Sequence, residues 1–438
     1  MIPMLRKSLV IALCGIIVAG ISTVDNKAMG GGFTIPHQSA RGLGLSNALT
    51  AGVNDPSAVY YNPAALSEVQ GNVVLVNGSY INVINDVENS GRKSVNKHDD
   101  NFLATLFGNY HIPGSDFTIG LGAYTPFGLA TTYDKDFTRF AAQRTELRTI
   151  YVTPAISWHP AKQISVGAGF SYVHASGVFT RQLCFDTAAC TAVVGSPAEA
   201  HLRLTDTQNA FTYNLGVLIK PTETIKLGFS YRARADIRFK NADVKLGGAG
   251  FAANPSTSAD VRPLPLPPVI NVGAFWQITP EWGSELVYEF TRWSEFKNFK
   301  ATFSPVPLFF GFAPVPGFNL PEDWKDTSSV RFGSFYALNK NWEVRGGLSY
   351  DGGPSPNKTL NPSIPGGDSI TLNAGVGYKW NRFGIDAGYM AVFYKTRRVT
   401  NNELEGIPAT GIPFNGAPGK DKYETFNNFL SLSASYRF

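Results

Sequence analysis

Six histidines, at positions 37, 98, 111, 159, 174 and 201, could carry metal or proton chemistry, but no two stand at the short spacing of a zinc or zincin motif. No G-x-S-x-G nucleophile elbow occurs, and Gly42-x-Gly44-x-x-Asn47 lacks the strand and helix that a dinucleotide fingerprint needs. No enzyme, metal site or cofactor is therefore expected. The chemistry left is that of binding. The stretch "ATFSPVPLFFGFAPVPGFNLPEDW", 301 to 324, places Phe303, Leu308, Phe309, Phe310, Phe312 and Phe318 in a segment almost free of charge. An apolar molecule gains about 0.8 kcal/mol for each CH₂ it buries, so such a surface can capture one from water; a loop that folds over the lumen and buries its own aromatics is the alternative. Arg181 and Lys325 are cations that could meet an anionic head group, because a carboxylate buried among apolar side chains needs a cation or several donors; ordinary pairing with Asp or Glu is the alternative. Cys184 and Cys190 are close enough in sequence to close a small loop by a disulfide.

The composition limits what can position these residues. Charged residues make up 16% of the 438, aromatics 13%, and glycine 44 positions, a profile that is neither disordered nor an ordinary soluble mixture. The net charge of +5 is spread without a basic block, so no nucleic-acid partner is expected. Arg6 and Lys7 precede an apolar run from Leu9 to Ile21, the layout of a secretory signal peptide assigned to residues 1–28, with the cut between Ala19 and Gly31. After residue 21 no apolar run is long enough for a membrane helix.

From residue 71 to the end, apolar residues recur at every second position. Ile164, Val166, Ala168, Phe170 and Tyr172 oppose Ser165, Gly167, Gly169 and Ser171, and the same period returns near residues 225 to 240, 372 to 380 and 430 to 438. Fourteen such segments can be counted. Every second link is tight, as in Ile112-Pro-Gly-Ser115 or Trp380-Asn-Arg382, and the intervening links are long. Even strand number with alternating short and long links predicts an all-β, 14-stranded antiparallel transmembrane barrel over residues 71–438, with both termini periplasmic and Tyr436 and Phe438 in an aromatic girdle. Arg181 and Lys325 fall at the outer ends of the fifth and tenth strands on the lumen parity, as do Arg232, Arg234 and Arg238 on the seventh, for which hatch and wall acids are the expected partners. Pro126, Phe127 and Gly128 end or kink the third strand, because proline donates nothing to a ladder and glycine relaxes it. Residues 29–70 do not alternate and precede the first strand, so they are expected to form an N-terminal hatch, or plug, inside the lumen.

The segment "GFTIPHQSARGLG…DPSAVYYNPAAL", with its core Asn62-Pro63-Ala64, resembles the hatch of FadL-type outer-membrane channels, and "AYTPFGLATTY" at 123 to 133 and "NWEVRGGLSYDGGPSPNKTL" at 341 to 360 resemble the same family. The resemblance implies passive uptake across a Gram-negative outer membrane of a long-chain fatty acid or another lipophile, aromatic hydrocarbons included. It also implies capture by outer loops, a lumen pocket near Arg181 and Lys325, and lateral release at a kinked third strand, Pro126 to Gly128. A barrel that is structural or adhesive is the alternative. Outer-membrane lipid or lipopolysaccharide is the expected surrounding partner, and a monomer the expected state.

Overall fold

A computed structural model describes residues 31–89, 92–97, 101–133, 137–140, 142–186, 189–190, 196–248, 251, 257–311, 313–400 and 421–438. The signal-peptide assignment and Phe312 lie outside these residues. The strands that cross the membrane are β1 (Val73–Asn89), β2 (Asn101–His111), β3 (Phe117–Tyr124, resumed as Gly128–Thr132), β4 (Arg144–Ala161), β5 (Ile164–Cys184), β6 (Glu199–Ile219) and β7 (Ile225–Arg232). They continue with β8 (Val269–Gln277), β9 (Trp282–Thr291), β10 (Thr327–Ala337), β11 (Trp342–Asp351), β12 (Ser369–Trp380), β13 (Phe383–Tyr394) and β14 (Asp421–Arg437). Each is antiparallel to the next, and β1 pairs with β14 from Val73↔Arg437 to Asn89↔Asp421, which closes the barrel. Closure leaves no exposed sheet edge, the condition for a β-structure in lipid.

The two-residue period sorts the side chains as the bilayer requires. On β14, Leu430 and Leu432 are 50% and 58% exposed, whereas Ser431 and Ser433 between and beyond them are buried. The short turns carry an aromatic girdle: Phe117 stacks on Trp158, Trp342 meets Tyr378, and Trp380, Phe383, Tyr436 and Phe438 form a chain of ring contacts. Above the membrane the wall is extended by loop strands: Ala242–Gly247 pairs with β6, Thr257–Val261 joins it to Asn298–Ser304, and Gly317–Pro321 follows.

One expectation about the wall is corrected. Arg232 is buried in the lumen, but Arg234 and Arg238 are exposed. The β7 ladder stops at Arg232, and Ala233 next to it is buried as well, so two successive residues point inward and the parity slips by one. The outer residues Ile237 and Phe239 then turn inward in place of the arginines.

Candidate functional site

Residues 31 to 70 lie within the barrel and are tied to its wall on nearly every side. Short helices at Ala40–Gly44 and Ala58–Tyr61 and a 3-10 turn at Pro63–Glu68 give the segment its compactness. Asn62 begins the last of these: its Oδ1 accepts from Ala64 N–H at 3.1 Å, and its Nδ2 donates to Thr50 O at 2.7 Å and to Val217 O on β6 at 3.2 Å. Pro63 occupies the first turn, where a missing N–H costs nothing. Wall side chains reach the hatch backbone from β4 (Ser157 to Ala64 O, 2.8 Å), β6 (Asn214 to Val59 O, 2.9 Å), β7 (Arg232 to Tyr60 O, 2.9 Å) and β12 (Asn373 to Leu43 O, 2.6 Å). The closest grip is that of Glu285 on β9. Its two carboxylate oxygens accept from three successive N–H groups, Thr50 at 2.8 Å, Ala51 at 2.6 Å and Gly52 at 2.8 Å. Glycine is required where strand and hatch backbones touch: a Cβ on Gly216 would stand 2.0 Å from Asn62 Oδ1, and one on Gly375 would stand 3.0 Å from Gly44 Cα.

Strand β3 is broken at the predicted triplet. Tyr124 pairs with Tyr151 and Gly128 with Arg148, so three residues of β3 oppose two of β4, a bulge that turns Phe127 inward until it is buried. On the other side, the β2–β3 ladder runs from His111↔Thr118 only to Leu106↔Ala123, and the outer half of β2 has no ladder with β3. The hatch fills this gap. Ile35 N–H donates to Pro126 O at 2.8 Å, and Gly128 N–H donates to Phe33 O at 3.0 Å. Gln38 clamps both edges: its amide exchanges hydrogen bonds with the backbone of Thr125 at 2.8 and 3.1 Å, while its carbonyl accepts from Thr105 Oγ1 on β2 at 2.7 Å.

Above the hatch and beside this break is a greasy cavity lined by Phe33 of the hatch, Leu129, Leu147 and Phe179 of the wall, and Phe239, Phe296, Phe299 and Leu320 of the outer loops. Two acids reach its lining. Glu146 is neutralised by Arg144 and Arg148, but among the described residues the Glu322 carboxyl has no cation and accepts only from Trp324 Nε1 at 2.9 Å and Asn361 Nδ2 at 3.3 Å. Burial pushes the Glu322 carboxyl up to about 8, against the pull of those two donors, so the group is neutral at pH 7. The fold favours its protonated form, and stability should fall as pH rises from the ordinary value of 4.5 towards 8. Glu322→Gln is expected to flatten that slope when the loss of heat-modifiable mobility is followed from pH 5 to 9; an unchanged slope would assign it to other groups.

The head-group candidates are not brought together. Arg181 is fully buried, with its Cζ 4.5 Å from the centre of the Phe318 ring and 5.6 Å from that of Phe179, and none of its three guanidinium nitrogens has a hydrogen-bond partner among the described residues. Lys325 is exposed and lines a separate basin at the outer ends of β10 to β13. Its parity is not that of β10: it lies before the first ladder residue, Thr327, so the strand period does not reach it. Of the apolar residues of the loop, Phe303, Phe309 and Phe318 are buried, and Leu308 and Phe310 are exposed at 46% and 52%. Cys184 and Cys190 are joined by a disulfide.

A closed 14-stranded barrel with its N-terminal segment folded inside is also the shape of known outer-membrane transporters. The profile described as "Outer membrane protein transport protein (OMPP1/FadL/TodX)" matches residues 21–438. The chain belongs to the OMPP1/FadL/TodX family. Among curated relatives of this FadL-type barrel, the long-chain fatty acid transport protein of Escherichia coli O6:H1 is 24% identical, with 91% of this chain and 95% of that protein covered. The 47 kDa outer membrane protein of Pasteurella multocida is 25% identical, over 97% and 98%. Among solved structures, a Pseudomonas aeruginosa FadL homologue superposes with a TM-score of 0.78 at 22% identity, covering 93% of this chain and all of that one. The Pseudomonas putida toluene transporter TodX gives 0.72 at 16%, with the same coverage. The protein is thus an outer-membrane β-barrel of a family of hydrophobic-compound transporters, which are channels and not enzymes.

Sequence reasoning did not find Gln38 or Glu285. Gln38 stands in the hatch among other polar residues, and nothing in its neighbours reveals that it faces a broken ladder. Glu285 did carry a signal: it is an acid at a lumen position of a strand with no basic residue opposite it in register, Phe275 and Gly333 being its partners.

Proposed function

We propose that the protein takes up long-chain fatty acids or similar lipophiles passively, capturing them on apolar outer loops, holding them in the cavity above the hatch, and releasing them sideways into the bilayer through the break in β3. The observation that carries this reading is the apolar cavity bordered at once by the hatch, by Leu129 just beyond the bulge of β3, and by the loops. Partition alone drives each transfer, because the cavity offers a CH₂ chain what the membrane offers it. Leu308 and Phe310 are the exposed parts of the capture surface, and Phe303, Phe309 and Phe318 form the rim beneath them. Arg181 takes the carboxylate: a buried guanidinium without partners is costly, and an anionic ligand would offset that cost. Phosphorylated outer-leaflet lipid surrounds the barrel, and a monomer suffices for every step. Uptake of aromatic hydrocarbons is the second reading, favoured by the phenyl walls of the cavity and by the toluene transporters among the fold neighbours.

Binding measurements on the purified barrel separate the two. Arg181→Leu is expected to weaken palmitate binding at least tenfold, about 1.4 kcal/mol, and to leave toluene binding unchanged. Equal palmitate affinity in a folded variant would remove Arg181 from the head-group role. Mass spectrometry of an organic extract of the barrel would show which class it carries from the cell, and an extract without any lipophile in excess of other barrels would count against the cavity as a binding site.

A further inference from the structure

Cations at the outer rim of the barrel generally have acidic partners. Lys93 reaches Asp86 and Lys422 reaches Glu424, each at 2.7 Å, Lys358 reaches Asp323 at 3.1 Å, and Arg234 is shared by Asp236 and Glu295. The outer ends of β10 to β13 depart from this. Lys325, Lys395, Arg397 and Arg398 line an open basin in which Asp368 is the one carboxylate. Asp368 turns one oxygen to the Gly353 N–H at 3.0 Å. Arg397 is fixed by neutral acceptors: Asn357 Oδ1 at 2.6 Å, and Ser355 O, Ser355 Oγ and Gly366 O at 2.8 Å each. Its guanidinium is held in place with its charge uncancelled, and none of the four cations has an ion pair among the described residues.

The height of the basin follows from the strand period. Tyr350, Ile370 and Phe393, at the outer ends of β11, β12 and β13, face the lipid and are about half exposed. Lys395 lies two residues beyond Phe393, on the same parity. Asp368 lies two residues before Ile370, and the two strands are still joined there by the Lys395 N–H to Asp368 O bond of 2.9 Å. Two residues rise roughly 7 Å along a strand. The basin therefore opens just above the apolar belt, where the head groups of the outer leaflet lie.

We propose that this basin is a binding site for the phosphate of an outer-leaflet glycolipid. Lys325, Lys395 and Arg398 supply mobile donors around the fixed Arg397, an arrangement suited to a phosphate monoester, while the acyl chains lie along Tyr350, Ile370 and Phe393. In a ring of 14 strands β10 stands across from β3, so the lipid is held on the wall away from the break.

The test uses the full chain in detergent and native mass spectrometry with three probes: bisphosphorylated lipid A, the same lipid with both phosphates removed, and inorganic phosphate. The barrel should retain one lipid A, with at least tenfold lower retention of the dephosphorylated form and no displacement by millimolar phosphate. Lys395→Gln with Arg398→Gln, both on exposed side chains, should lower retention at least tenfold with heat-modifiable mobility intact. Equal retention of the two lipids, or of lipid A by the folded double variant, would overturn the site. Displacement by millimolar phosphate would make it a site for free anions and overturn the lipid assignment. Should the double variant fail to fold, the comparison of the two lipids on the natural protein decides alone.

Discussion

Deleting Gly31 to Ser67 is expected to turn a nearly closed barrel into an open, water-filled pore, with conductance in planar bilayers rising by an order of magnitude or more. The β1–β14 closure completes the ring, and the wall takes backbone hydrogen bonds from the hatch around the break in β3, at Thr125, Pro126 and Gly128, so the rest of the ladder stands without it. The hatch occupies the lumen that a ring of this size would otherwise leave to water. Glu285→Ala is a milder version of the same experiment. It strips the acceptor from three N–H groups at Thr50, Ala51 and Gly52, each charged hydrogen bond contributing about 1.5 to 3 kcal/mol. Brief openings should then appear on a closed baseline, fewer in Glu285→Gln, which keeps one acceptor oxygen. Natural protein that already conducts like a general porin would show that the hatch does not block, and both expectations would fail.

The second large effect concerns the wall. Replacing Pro126 with Val and Gly128 with Thr restores a ladder donor and β-branched packing to the broken strand. Uptake should fall at least tenfold, while ligand binding to the loops and cavity changes little, because neither residue lines the cavity. Gln38→Leu acts in the opposite sense. It removes the amide that holds Thr125 and leaves the gap between β2 and β3 without its clamp, so release should become faster. Transport of radiolabelled palmitate by cells, read beside binding to purified protein, distinguishes the two variants. Undiminished uptake by a folded Pro126→Val, Gly128→Thr barrel whose structure shows a sealed β3 would exclude sideways exit and direct attention to a path through the hatch.

How much of this was legible before any coordinates depends on the range of the interaction concerned. The alternation that marks Leu430 and Leu432 against Ser431 and Ser433 is a local property, and with the proline and asparagine turns it was enough for strand number and closure. The hatch was legible by exclusion, because a segment that cannot be a strand yet precedes one has only the lumen to fold in. Arg234 and Arg238 were misplaced because a parity slip at Ala233 leaves no mark in composition, and Lys325 because the period was carried past the end of its ladder. Glu285 and Gln38 depend on what lies 233 to 235 and 87 residues away along the chain. No spacing rule reaches that far.

The glycines that receive the hatch have a consequence for biogenesis. Asn62 meets Gly216, Thr50 meets Gly228, Leu45 meets Gly333, Gly44 meets Gly375, and Ala40 meets Gly388, so β6, β7, β10, β12 and β13 are each shaped to a different piece of one short segment. A segment fitted on so many sides cannot be threaded into a finished cylinder. It has to be in place while the sheet is still an open ribbon, and the 17-residue zipper between the first and last strands must be the final seam. The expected order is therefore hatch first and seam last, with a barrel that lacks the hatch closing on an empty lumen.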